Sequence, residues 1–215
     1  MKRLVKSLLI SLLIISTLGL NSVYAASHDI NEIDEFLLET GMPLDIVKAL
    51  DEEFKIYIYE TIDKTKKLTF SGYTEKTITF PNIDDGDIRL NYIPPSELSL
   101  TVTSIVDSSG VYHIYPTFEW KVRTRVANDT FAFALPEGWY LVPSKYNLRM
   151  WARENLNDDW KLIEDLSRPS TATFYGYGWQ IPLKYIILDD DYYVRGNAYF
   201  YAKPTISTPD RRICI

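Results

Sequence analysis

The sequence predicts a mainly β protein, an antiparallel β-sandwich of jelly-roll type preceded by a small N-terminal helical unit. Two observations carry this. Beyond Lys67, short runs rich in Thr, Tyr, Val, Phe and Trp alternate with Pro, Gly, Asn and Asp, which punctuate an all-β domain with many turns. Between Ser27 and Ile62, apolar residues instead recur at spacings of three and four, the period of an amphipathic helix. The expected organisation is a cleaved signal peptide over 1–25, a helical unit over 26–64 and a sandwich over 65–215.

The chain opens with MKRLVK, continues through an apolar run from Leu8 to Leu20 and closes that region with Val23, Tyr24 and Ala25. A basic flank, a short apolar centre and small residues before the cut are the pattern of a secretory signal, with cleavage expected after Ala25. The apolar run is short for a membrane span, so no membrane insertion is expected once the segment is removed. Localisation is therefore expected to be extracellular. Removing Lys2, Arg3 and Lys6 leaves 20 basic residues against 29 acidic ones. A surface that acidic repels phosphate backbones and anionic headgroups, so no nucleic-acid partner is expected. Cys214 has no second cysteine to bridge with, and stability must come from packing.

In the helical unit, Ser27 or Asp29 can cap an N-terminus, and Ile30, Ile33, Phe36, Leu37 and Thr40 share one side. Gly41 is placed as a C-terminal glycine. Pro43 opens a second helix carrying Leu44, Val47 and Leu50. Asp51, Glu52 and Glu53 favour a third N-terminus, although 54–59 also alternates like a strand. Three short helices are marginal alone, so the unit should dock on the β domain.

The stretch EFLLETGMPLDIVKALDEEFKIYIYE, from Glu35 to Glu60, resembles the N-terminal segment of uncharacterised secreted proteins of Gram-positive bacteria. The likeness rests on the TGMP turn and the LDEE and IYIYE runs. It implies a similar secreted origin and carries over no activity, ligand or catalytic residue.

Strands are expected over 68–70, 76–80, 88–92, 96–106, 111–126, 130–135, 139–142, 146–153, 161–164, 171–180, 183–188 and 192–202. Pro116 and Pro182 fall inside runs, which suggests edge strands or bulges.

No catalytic motif or cofactor fingerprint is present, and no cofactor or metal is expected. Nucleophilic catalysis needs a histidine as general base, and the chain has two. His113 alternates with Tyr115, Thr117 and Glu119, which makes His113 and Glu119 the weak candidates for an acid/base site in a carbohydrate-active or peptide-hydrolysing enzyme. A solvated strand face explains the same residues. The acidic runs at 84–87 and 189–191 could hold calcium, but neither has EF-hand spacing and solvated turns suffice.

Period-two reading places Tyr175, Tyr177 and Trp179 on one strand face. It likewise groups Arg195 with Tyr199 and Tyr201, and leaves Trp151 opposite Leu148 and Met150. Aromatic rings interleaved with Arg, Asn and Gln donors suit sugar recognition, because pyranoses stack on rings while their hydroxyls hydrogen-bond. The expectation is a secreted, non-catalytic binding protein with an extracellular glycan or cell-envelope ligand on this platform. An extracellular protein-interaction or matrix role, exerted through the helical unit, is the further alternative. Both require surfaces that are free, whereas the aromatic faces would equally suit the wall of a core.

Overall fold

A computed structural model describes residues 28–77, 98–121, 130–173, 175–180 and 192–207. The expected signal segment, Cys214, Pro182, the acidic runs at 84–87 and 189–191 and the strands expected over 88–92 and 183–188 lie outside the described residues.

Helix α1 (Ile30–Glu39) starts from Asp29, whose carboxylate accepts from the Asn31 N–H at 2.9 Å. It stops at Thr40 because Gly41 takes a φ of 87°, which an L side chain resists, and its N–H donates to the Leu38 carbonyl. Helix α2 (Leu44–Ala49) follows Pro43. Helix α3 (Glu52–Thr61) is capped by Asp51, which accepts from the Phe54 N–H at 2.8 Å. The strand-like alternation over 54–59 thus resolves as helix. Tyr57 and its neighbour Ile58 are both buried, as two successive residues on the inner arc of a helix can be.

Nine strands follow among the described residues: β1 (Leu68–Thr77), β2 (Leu98–Asp107), β3 (Tyr112–Trp120), β4 (Thr130–Ala134), β5 (Trp139–Arg153), β6 (Lys161–Leu166), β7 (Thr171–Ala172), β8 (Gly176–Gln180) and β9 (Tyr193–Pro204). They form two antiparallel sheets, one of six strands in the order β1-β2-β3-β9-β5-β6 and one of three in the order β4-β8-β7. The fold is therefore mainly β, with two facing sheets as the sandwich reading expects. The helices add a third layer on the far side of the larger sheet.

Several boundaries differ from the expected ones. The first strand runs on through Ser71–Glu75, because a bulge between Phe70 and Gly72 absorbs the irregularity that reads as a turn. The runs at 139–142 and 146–153 are a single strand, β5, whose pairing with β9 breaks between Leu141 and Tyr146, around Ser144 at a φ of 60°. Pro116 lies in an interior strand, not at an edge. The β3–β9 register skips from Ile114 to Thr117, so the missing N–H falls in a gap of the ladder.

Between the sheets, Ile114, Phe118, Leu148, Met150, Ala198 and Phe200 meet Phe131, Phe133, Tyr177 and Trp179. The Phe133 and Phe200 rings stack at 3.6 Å. On the opposite side, Ile33, Leu37, Phe54, Tyr57 and Ile58 pack against Ile105, Tyr115 and Tyr199. Fully burying each of those five helical side chains stabilises by ~1.5–3 kcal/mol, a gross term on the order of 10 kcal/mol for the set. The inner side of the helical layer is thus part of the protein's core.

Candidate functional site

The division of each strand into two faces follows the sequence reading, but the second face is covered. On β3, Ile114 and Phe118 point toward the small sheet, and His113, Tyr115, Thr117 and Glu119 toward the helices. His113 and Tyr115 are fully buried there. This overturns the solvent-facing expectation, and the physical reason is the third layer, whose apolar side needed a sheet face to bury against.

His113 and Glu119 do not form a site. Six residues along one strand separates them by about 20 Å. The His113 ring lies 3.6 Å from an Asp107 oxygen and tilts against the Tyr201 ring at 3.9 Å, and neither ring nitrogen has a hydrogen-bond partner. Burial pushes its pKa down, against the opposing pull of Asp107. Burial also opposes ionisation of Asp107, yet donors from Lys66, Ser109 and Val111 hold its carboxyl well below the usual carboxylate range. These bonds fasten the α3–β1 link to the β2–β3 turn. Glu119, at the other end, is bonded to Lys121.

Three of the sequence-derived residues do come together. Arg195 pairs in register with Glu119 on β3 and with Trp151 on β5. Its guanidinium reaches Asp51 at 3.3 Å and Glu53 at 3.0 Å at the start of α3, and lies 4.2 Å from the Trp160 ring centre. Burial raises the Asp51 carboxyl, against Arg195, and the neighbouring Glu53 and Glu119 charges add to the rise. Trp160 also carries the Arg153 guanidinium at 4.3 Å, so its ring is engaged by two cations. With Arg195 and Trp151 buried, this cluster is a seam between layers, and those two residues present no stacking surface.

The remaining platform residues are divided among other places. Tyr201 is buried and donates its hydroxyl to the Thr61 carbonyl, while Tyr199 packs on Tyr57. Tyr177 and Trp179 lie in the core between the sheets, paired in register with Phe133 and Phe131. Tyr175 alone of the set is exposed, at 52%. A common aromatic platform is therefore absent: the rings occupy two separate interiors, and Tyr175 sits just before β8.

Among the described residues, the outside of the helical layer is exposed and differs from the rest of the chain in charge. Residues 28–64 hold eleven Asp and Glu against three Lys, whereas residues 65–215 hold 18 acids against 17 bases. Some of these acids are engaged: Asp34 pairs with Lys55 within the layer, while Glu60 to Arg149 and Asp51 and Glu53 to Arg195 tie the layer to the sheet. Glu35, Glu39 and Asp45 are exposed and form no ion pair among the described residues. Leu38 and Leu44, at 40% and 53% exposure, lie among them. Strand periodicity could not find these residues, but the segregation of charge was readable in the sequence.

Among the described residues, no group of three or more His, Cys, Asp or Glu is placed to hold a metal ion, and no helix is long and apolar enough to cross a membrane. No protein-family model, curated protein or solved structure matches the chain.

Proposed function

We propose that this is an exported, non-catalytic binding protein whose working surface is the acidic outside of the helical layer and whose partner is a positively charged polypeptide. One observation carries the reading: nearly all the net negative charge outside the N-terminal segment belongs to residues 28–64, on a layer whose inner side is committed to the core. A single-sign field of this kind raises the local concentration of oppositely charged partners and speeds their encounter. The glycan reading drew on exposed ring faces, which the packing removes. The enzyme reading drew on His113 and Glu119, which stand at opposite ends of one strand.

The test is binding of an oligolysine peptide, measured against salt. Screening shortens the reach of such a field to about 8 Å at physiological ionic strength, so affinity should fall steeply as salt rises. Reversing Glu35, Glu39 and Asp45 to lysine should weaken binding by at least tenfold. Reversing the exposed Glu137, Glu154 and Asp159 of the β layers should leave it nearly unchanged. Equal losses in the two variants, or no binding by the wild-type protein, would overturn the proposal.

A further inference from the structure

We infer that the turn joining α1 to α2 is the docking point for a cationic amphipathic peptide, one that presents apolar side chains together with lysines or arginines. This rests on the binding role proposed above and names the place and the kind of partner.

Leu38 and Leu44 bracket the turn Thr40–Pro43 and expose much of their side chains. The helix phase explains why Leu38 is outside, since Ile33 and Leu37 take the inward positions. It does not explain why that outward position holds leucine. Glu35 precedes Leu38 by one helical turn, Glu39 follows it directly, and Asp45 follows Leu44.

The turn between them is held by hydrogen bonds. Thr40 donates its hydroxyl to the Leu37 carbonyl at 2.6 Å, Gly41 donates to Leu38, and the Phe70 N–H of β1 donates to the Thr40 carbonyl at 2.7 Å. Met42, inside the turn, is buried in the helix–sheet core. A turn already held this way spends little backbone ordering entropy on binding.

Charge complementarity selects the occupant. A second copy docking through the same layer would bring another strongly acidic surface against the first, and an anionic lipid surface would be repelled in the same way. A peptide with only positive charge would satisfy the carboxylates and leave both leucines in water. One with apolar and basic residues on a common face satisfies both.

Two synthetic 14-residue peptides of equal charge test this, one built from lysine and leucine as an amphipathic helix and one from lysine and serine. The wild-type mature protein should bind the lysine–leucine peptide at least tenfold more tightly. Leu38→Ser with Leu44→Ser should bring that affinity down to the lysine–serine level, while leaving the lysine–serine peptide unaffected and the melting temperature close to wild type. Glu35→Gln, Glu39→Gln and Asp45→Asn together should weaken both peptides. If the leucine variant binds both peptides like the wild type, the docking point is refuted and the broader acidic surface stands. If the wild-type protein binds neither peptide, both readings fall.

Discussion

The Tyr201 hydroxyl donates to the Thr61 carbonyl at 2.6 Å, tying the sheet's β9 strand to the last turn of α3. The side chain sits on the strand face that alternation leaves over after the inter-sheet core is assigned, and there its ring is buried against His113. The same relation recurs across the interface. Tyr57 of α3 donates to Asn147 of β5, and Arg149 of β5 pairs with Glu60 of α3. The larger sheet is thus packed on both faces, and its polar tips are used as fasteners.

Tyr57 should be the most sensitive position of the helix–sheet interface. It is buried against Tyr115, Trp151 and Tyr199, and truncation to alanine leaves a cavity among three rings. Tyr57→Ala should destabilise by about 3–5 kcal/mol in urea denaturation. Tyr57→Phe should cost about 1 kcal/mol, since it removes only the bond to Asn147.

Stability should fall as pH drops below about 6.5. Burial lowers the pKa of His113 beneath its ordinary value of 6.5, so the unfolded chain takes up this proton at higher pH than the folded protein. The stabilisation from neutral His113 is complete above that value and is lost as pH falls toward the folded-state pKa. Asp107, Lys66 and Asp63 face the ring with charges of both signs, so His113→Phe isolates its share. Melting temperatures between pH 8 and 5 should slope less in that variant than in the wild type. Loss of the Asp107 carboxylate adds a second decline at still lower pH, below its ordinary 3.8.

Two glycines should respond in opposite ways to alanine. A Cβ on Gly196 would clash with the Phe118 ring, which is packed against Phe131 in the inter-sheet core. Gly196→Ala should destabilise by about 1–3 kcal/mol through overpacking. At Gly178 the nearest atom would be the Ala132 Cβ at 3.4 Å, an ordinary contact. Gly178→Ala should fall within about 1 kcal/mol of wild type or slightly above it, because alanine restricts the unfolded chain. Thermal melts of the two variants decide the point.

Export is tested by the mass of protein recovered from the medium of a secreting host. The expected chain begins at Ala26, after the Val23, Tyr24, Ala25 run. Cell-associated protein retaining Met1 would contradict it.

Much of the architecture was legible in residues with one physical meaning. Gly41 stops α1 because it takes at little cost a φ that most residues resist, and Asp51 starts α3 because its carboxylate meets a free N–H. Alternation correctly separated Leu148 and Met150 from Trp151, and Ala198 and Phe200 from Tyr199 and Tyr201. What alternation cannot say is what lies over the second face. A period of two distinguishes sides of a strand, not water from a helix, and large aromatic residues suit either environment. The same limit applies to Tyr177 and Trp179, which alternation puts on one face of β8 without saying that this face meets the other sheet. The small residues in fact face away from the core, and the rings fill it.

Tyrosine nitration under native conditions, followed by peptide mapping, tests most directly whether the helical layer seals the aromatic sheet face. Tyr175, half exposed, should react readily, while Tyr115 and Tyr201 should stay unmodified until urea unfolds the protein. Modification of Tyr115 and Tyr201 at the rate of Tyr175 in the native state would show that face open to solvent, and would return the search for a binding surface to the sheet.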